Sequence, residues 1–178
     1  EYDLTRLVAE LDRKGKALVA LIDGMNLQGN PQLGMREQQV LVQMKQFFDV
    51  QNLQGELSEL PEKTRVLMVV QPQNLSEKTL FAIDQWVMAG GATLIFVDPH
   101  AESQIGPRGQ PPADSSSDLQ KLFTAWGVRY DATKAVADPG FALQTERMIN
   151  GRPASMSNLP WIAVHDEGLR KDDAILAQ

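Results

Sequence analysis

A strand–helix–strand pattern between Arg65 and Pro99 constrains the fold most strongly. The apolar run Arg65–Pro72 predicts a buried strand, and a 3.6-residue apolar period over Ser76–Ala89 predicts an amphipathic helix. Gly90-Gly91 ends that helix, and Ala92–Val97 is a second apolar run. Two buried strands joined by a helix lie parallel, because parallel neighbours need a long crossover connection. The chain is therefore predicted to fold around a parallel sheet covered by helices.

Other segments of the chain carry the same kinds of pattern. Ala17–Ile22 is a continuous apolar run, which is typical of a central parallel strand. Residues 141–152 form a polar, extended segment with a turn signal at Asn150-Gly151. Apolar spacing also predicts helices over residues 3–11, 36–48 and 118–126, a helix start over 172–176, and strands over 49–54, 134–137 and 161–164.

The length of the chain fits one folded unit. A chain of 178 residues can bury a substantial core, and we predict a single α/β domain over residues 1–178. The stretch 101–117, rich in Gly, Pro and Ser, is predicted to be a flexible loop that supplies no core residue except Ile105. The chain starts at Glu1 and stops within an apparent element, so we interpret it as an excised piece of a longer protein.

Charge and composition exclude several classes of function. The net charge is -6 and no segment concentrates Lys or Arg, which disfavours nucleic-acid binding. The chain has no cysteine, so disulfides, thiolate metal sites and cysteine nucleophiles are excluded. Its apolar runs stay well short of the roughly 20 residues that cross a bilayer.

A ligand or partner of a parallel sheet binds at the carboxyl ends of its strands. Asp23 and Asp98 follow two predicted strands, and carboxylates there can bind a metal or act as acid and base. Aspartate also favours such junctions because it bonds nearby backbone amides, and no second carboxylate stands at ligand spacing. The candidate ligand or partner face comprises Asp23, Asn26, Gln71, Asn74, Asp98 and His100.

Motifs for common cofactors and catalytic centres are missing from the sequence. The loop Asp23–Gly29 has neither a dinucleotide-binding nor a P-loop glycine pattern, and no G-x-S-x-G nucleophile elbow occurs. His100 and His165 are the only histidines, too few for a histidine-rich zinc site. We therefore expect no cofactor, no metal and no catalytic residues.

Three blocks together resemble a known family: Leu60–Ser76, Phe81–Gly91 and Leu94–Pro99. They are similar to the soluble domain of GldG-like, gliding-motility-type auxiliary proteins of ABC transport systems. The shared pattern is a proline-ended strand, an Ile-Asp-Gln helix closed by two glycines, and a strand ending in Val-Asp-Pro. Leu119–Val128 and Val136–Asp138 look like that family's next helix and strand, and Leu7–Gly29 is similar more loosely.

The resemblance implies a three-layer Rossmann-like or flavodoxin-like domain, with helices on both faces of a mostly parallel sheet. It further implies a location on the extracytoplasmic (periplasmic) side of the bacterial cytoplasmic membrane, with anchoring by segments outside this sequence. The implied partners are the permease and ATPase subunits of an ABC system. The family has no established catalytic residues, and related glutamine amidotransferases use a cysteine that this chain lacks.

Three hypotheses for the function follow. The first is a non-enzymatic binding or docking domain that uses the loops 23–29, 71–74 and 98–106, with the flexible loop as a lid or docking arm. The alternative is a hydrolase or sugar-active enzyme in which Asp23, Asp98 and His100 converge. The third, a nucleotide-binding domain, lacks a phosphate-binding motif.

Overall fold

The computed structural model describes residues 15–104, 110, 112–169 and 172. The chain divides into two compact units, Glu1–Ala132 and Thr133–Gln178, which are described in turn. The helix predicted over residues 3–11 and the core position predicted at Ile105 lie outside the described residues, as does all but Asp172 of the helix start predicted over 172–176. A single domain over residues 1–178 remains a prediction.

The centre of the first unit is a four-stranded parallel sheet in the order β2-β1-β3-β4. Its strands are β1 (Ala17–Asp23), β2 (Phe48–Asn52), β3 (Thr64–Val70) and β4 (Ala92–Phe96). β1 and β3 are central, as the continuous apolar runs predict. The burial predicted for the run Ala92–Val97 is wrong, because β4 is an edge strand whose residues are exposed or half-buried. The short segment predicted over 49–54 is the edge strand β2. The predicted parallel sheet is therefore confirmed.

Three α-helices belong to the described part of this unit: α1 (Gln39–Phe47), α2 (Glu77–Met88) and α3 (Gln120–Trp126). α2 begins where the sequence predicts, because the Ser76 hydroxyl accepts a hydrogen bond of 3.2 Å from the backbone N–H of Thr79. Gly90 has a φ of 81°, the left-handed conformation that closes the end of this helix.

The helices cover both faces of the sheet. Side chains alternate along each strand, so neighbouring residues enter different clusters. On the α1 face, Leu41 packs with Val19, Leu21 and Met68. On the opposite face, α2 and α3 complete a larger cluster formed by Ala20, Ile22, Leu67, Val69, Ile83, Leu119, Leu122 and Phe123. This is the predicted three-layer, Rossmann-like α/β arrangement, with strand order typical of flavodoxin-like folds.

The described part of the stretch 101–117 contributes to the interior, contrary to the sequence-based expectation. Ala101, Gln104, Ser115 and Ser117 are all buried. Gln104, Ser115 and Ser117 bond Gly24 or Gln71 at the ends of distant strands, which composition does not reveal. That this stretch is flexible remains a prediction.

The second unit contains an antiparallel hairpin of β5 (Ala142–Ile149) and β6 (Arg152–Ile162). The predicted turn at Asn150-Gly151 is confirmed, since both residues have positive φ. The separate strand predicted over 161–164 is wrong, because β6 pairs from Arg152 through Ile162. The strand predicted over 134–137 is also wrong, because that segment is irregular. Val136 is 74% exposed, so its apolar side chain does not reflect a buried strand.

Across the described residues, none of the helices combines the length and apolar character needed to span a membrane.

Candidate functional site

A cavity of about 490 Å³ opens at the carboxyl ends of β1, β2 and β3. It lies at the topological switch point of the sheet, because α1 follows β1 on one face whereas α2 follows β3 on the other. Loops that diverge in this way leave a crevice between them. We call this cavity the amide cleft, because six of the residues that line it have amide side chains: Asn26, Gln28, Asn52, Gln54, Gln73 and Asn74.

The loop after β1 is held in place by the carboxylate of Asp23. One oxygen, Oδ1, accepts a hydrogen bond of 2.9 Å from the backbone N–H of Met25. The other, Oδ2, accepts one of 2.7 Å from the backbone N–H of Leu27. Both oxygens therefore bond the loop that carries them, and Asn26 is presented with a φ of 55°. The role of Asp23 seen here is to shape the cleft.

The floor of the amide cleft depends on a close approach between the ends of β1 and β3. The backbone N–H of Gly24 donates a hydrogen bond of 2.9 Å to the carbonyl of Val70. A Cβ atom at position 24 would lie 1.9 Å from the carbonyl oxygen of Gln71. Only glycine fits at this position, and the two loops can therefore meet.

Gln71 connects this floor to the segment after β4. Its side chain is buried, and its backbone has a φ of 46°, which is unusual for a residue other than glycine. The amide nitrogen Nε2 donates to the carbonyls of Ser115 at 2.5 Å and Asp98 at 3.2 Å. The oxygen Oε1 accepts from the Ser117 hydroxyl at 2.6 Å and from the Asp98 backbone N–H at 3.1 Å. All these bonds are internal, so Gln71 organises the site from beneath.

A second glutamine ties the 101–104 segment to the cleft. The buried Gln104 donates from Nε2 to the carbonyl of Gly24 at 3.1 Å and to Oε1 of Gln73 at 2.7 Å. Gln73 in turn donates to the carbonyl of Ser116 at 2.8 Å. The loops after β1, β3 and β4 thus form one hydrogen-bonded assembly around the amide cleft.

Asp98 and His100 are exposed and are not among the residues that line the cleft. The Asp98 carboxylate accepts a hydrogen bond of 2.8 Å from the backbone N–H of His100, not from its ring. The ring nitrogen Nδ1 of His100 lies 3.1 Å from the hydroxyl of the buried Ser115. The imidazole of His100 therefore contacts a serine. The Asp98 carboxylate does not orient the ring through its bond to the His100 backbone.

The residues available to hold a metal or a nucleotide are few. In the described part of the chain, no group of three or more His, Asp or Glu residues is arranged to hold a metal ion. α1 begins at Gln39, well beyond the end of β1 at Asp23, so no helix N-terminus follows β1 directly as in phosphate-binding folds.

Two titratable groups near this assembly, Asp114 and Tyr130, have shifted pKa values, and hydrogen bonds from the Ser116 backbone and hydroxyl lower the pKa of Asp114. Burial raises the pKa of the Tyr130 hydroxyl above its usual value of 10.0, and the negative charge of Asp98 adds to the rise. Tyr130 packs edge-on against Phe123 of α3, with ring centroids 5.8 Å apart. It belongs to the core that supports the β4 loop.

The structure distributes the six candidate residues over three positions. Asp23, Asn26 and Asn74 line the amide cleft, Gln71 lies beneath it, and Asp98 with His100 lies outside it. Sequence reasoning missed the contribution of β2, whose carboxyl end supplies Asn52 and Gln54. The available signal was the edge strand itself, because a strand parallel to β1 ends at the same edge of the sheet.

A comparison with protein-family models identifies the family of the chain. The model of a family described as an ABC-type uncharacterized transport system matches residues 14–178. The chain belongs to this family. The family points to an auxiliary component of an ABC transport system. No curated protein and no solved structure matches the chain significantly.

Proposed function

We propose that the chain is a non-enzymatic binding or docking domain of the auxiliary component, and that the amide cleft is its contact site. The observation that carries the proposal is the lining of the cleft, which includes six Asn and Gln residues around one opening at the switch point of the sheet. Of these, Gln73 already bonds Gln104 and Ser116 through its amide. The family membership supports a role within a transport assembly.

The chemistry of the lining favours an uncharged polar segment as the occupant. Side-chain amides donate and accept hydrogen bonds, so they pair with hydroxyl and amide groups. Among the described residues that line the cleft, Asp23 is the only charged one and its carboxylate oxygens bond the loop. An anion would find no cation to pair with there, and a cation would compete with the hydrogen bonds that hold the loop.

We further propose that the chain belongs to the GldG-like branch, on the strength of the blocks Leu60–Ser76, Phe81–Gly91 and Leu94–Pro99. In that case it lies on the extracytoplasmic side of the cytoplasmic membrane and is anchored by parts of the protein outside this sequence. Its partners are then the permease and ATPase subunits of the same system. A protease-protection assay on spheroplasts tests this location, because an extracytoplasmic domain is degraded while the membrane is intact.

A second candidate function is supported by one contact. The 3.1 Å approach of His100 Nδ1 to the Ser115 hydroxyl is compatible with a serine hydrolase, in which histidine activates the serine. The Asp98 carboxylate bonds the backbone of His100 and not its ring. Asp98 therefore does not orient the imidazole as the acidic residue of a catalytic triad does. A fluorophosphonate probe tests this alternative. Covalent labelling of the wild type that is lost in Ser115→Ala would favour a serine hydrolase over a docking domain.

Co-purification of the full-length parent from detergent-solubilised membranes tests the docking proposal. The wild type should recover an ABC permease and ATPase, identified by mass spectrometry. Gln54→Arg places a bulky charge in the amide cleft and should reduce that recovery severalfold, since an uncharged segment cannot pair with it. Gln85→Arg, at an exposed position on α2, is the matched control and should recover wild-type amounts. Equal recovery by both variants would contradict a role for the cleft.

A further inference from the structure

The turn between β5 and β6 brings an exposed asparagine next to a glycine. The hairpin closes through a loop of two residues, Asn150 and Gly151. Asn150 has a φ of 51° and Gly151 has a φ of 76°. Positive φ at both central positions defines a type I′ turn. Both residues are exposed, so solvent reaches the whole turn.

The residue that follows an asparagine decides how readily its carboxamide reacts with the main chain. The next backbone nitrogen attacks the side-chain carbonyl carbon, and a bulky neighbour hinders this approach whereas glycine does not. The chain has six asparagines, and Leu follows four of them: Asn26, Asn52, Asn74 and Asn158. Asn30 precedes Pro31, whose nitrogen has no hydrogen to lose. Asn150 alone precedes glycine, and a Cβ atom at Gly151 would meet nothing within 4 Å.

We propose that Asn150 is a site of spontaneous deamidation and that its isoaspartate product weakens the β5–β6 hairpin. The Gly151 nitrogen forms a bond to Cγ of Asn150. The bond from Cγ to the side-chain nitrogen breaks, and ammonia leaves with the proton that the Gly151 nitrogen loses. Water then opens the resulting cyclic imide at either carbonyl, which gives aspartate or the β-linked isomer isoaspartate. The net reaction consumes water and releases ammonia, without oxidation or reduction.

The hairpin permits this reaction because it opens easily. Ring closure brings the Gly151 nitrogen over the Cβ of Asn150, a geometry that the left-handed conformation of the closed turn does not provide. The turn must therefore open before the nitrogen can attack. Within the described residues, β5 and β6 pair only with each other. A hairpin of two strands is marginally stable in water, so local opening of this turn has a low free-energy cost.

Isoaspartate changes the geometry of the turn. Its main chain runs through the former side chain, so the Cβ of residue 150 becomes an additional backbone atom in the loop. Turn type and loop length fix the register of a hairpin. The additional atom therefore disrupts the register that places Thr145 opposite Met156. This effect concerns the fold of the second unit and does not depend on the proposed docking role.

Incubation of the whole chain in mildly alkaline heavy-oxygen water tests the site, because each ring opening incorporates one labelled oxygen. Peptide mass mapping locates the label. Asn26 is the internal control, since it is also exposed and has a φ of 55° but precedes Leu27. Conversion should be at least severalfold faster at Asn150 than at Asn26. A peptide of residues 145–156 gives the rate of the open chain, and the folded protein should convert Asn150 within about tenfold of that rate.

Either of two results would overturn the deamidation site. Equal conversion at Asn26 and Asn150 would show that the glycine has no effect. An intact Asn150 in the folded protein, while the peptide converts, would show that the closed turn protects the carboxamide.

Hydrogen exchange tests the effect on the hairpin. The amides of β5 should exchange severalfold faster in the purified isoaspartate product than in freshly prepared Asn150→Asp, while those of β1 and β3 stay unchanged. Asn150→Asp is the matched control, because it has the added charge without the additional backbone atom. Equal exchange of β5 in the two proteins would refute the weakening of the hairpin.

Discussion

Replacement of Gln71 by alanine should destabilise the protein more than any loss of a surface glutamine. The side chain makes four hydrogen bonds, two from Nε2 and two to Oε1. The Asp98 N–H and carbonyl would keep bonds of 2.9 and 3.0 Å to Ser117, and the Ser115 carbonyl would keep one of 3.2 Å from the Ala101 N–H. The buried Ser117 hydroxyl would still accept from Asp98, but its own proton would lose the acceptor Oε1 of Gln71.

The magnitude follows from that one buried hydroxyl donor. An unsatisfied buried group costs between about 1 and 3 kcal/mol, so the free energy of unfolding should fall by about 2 kcal/mol. The backbone adds little to the difference, because glutamine and alanine are similarly strained at a φ of 46°. With a urea dependence of about 2 kcal/mol per molar, the unfolding midpoint should fall by about 1 M.

Urea unfolding monitored by tryptophan fluorescence measures this change. Gln85→Ala is the matched control, because Gln85 is exposed on α2, and it should change the free energy of unfolding by less than about 0.5 kcal/mol. A loss below about 1 kcal/mol for Gln71→Ala would refute the reasoning, since the four bonds would then not hold the loops together.

Three further predictions test other parts of the structure. Gly24→Ala should lower the free energy of unfolding by at least about 2 kcal/mol in thermal melts, because its Cβ would meet the Gln71 carbonyl at 1.9 Å. Gly55 is the control, because it has a φ of 76° and open space around it. Gly55→Ala should lower the free energy of unfolding by only about 1 kcal/mol, and an equal loss in the two variants would contradict the close approach at Gly24. Thr64→Val should leave the free energy of unfolding unchanged or raise it by up to about 1 kcal/mol in the same melts, because the buried Thr64 hydroxyl has no hydrogen-bond partner among the described atoms. A clear loss of stability would show that the hydroxyl has a partner. The raised pKa of Tyr130 means that the folded state favours the neutral hydroxyl. The contribution of Tyr130 to stability is therefore complete below about pH 10, the usual pKa of tyrosine, and is lost as the pH rises through the folded-state pKa. Melting temperatures from about pH 9 to about pH 11 should therefore fall more steeply in the wild type than in Tyr130→Phe, and identical slopes would count against burial of that hydroxyl.

The parts of the fold that sequence predicts well are those fixed by local chemistry. β3, α2 and β4 follow from apolar runs, the cap at Ser76 and the glycine at position 90, all of which act within a few residues. The helix boundaries are less well predicted: α1 begins at Gln39, three residues after the predicted start at residue 36, because the apolar period alone does not mark an uncapped end.

The parts that sequence predicts poorly depend on distant partners. Ser115 and Ser117 are buried because Gln71, more than 40 residues earlier, bonds them. The length of β6 follows from pairing with β5 and not from its own polar sequence. The edge-of-sheet rule predicted Asp23, Asn26 and Asn74 as neighbours, and they share the amide cleft, whereas the contribution of β2 required the strand order.

The most direct test of the docking proposal is photo-crosslinking in membranes of the native host. A photoreactive amino acid at position 54 of the full-length parent lies in the amide cleft, and one at position 85 lies on the exposed side of α2. The proposal predicts that position 54 crosslinks to a permease subunit of an ABC system and that position 85 does not. Crosslinking from position 85 alone, or from neither position while the parent still co-purifies with the transporter, would contradict the cleft as the contact site.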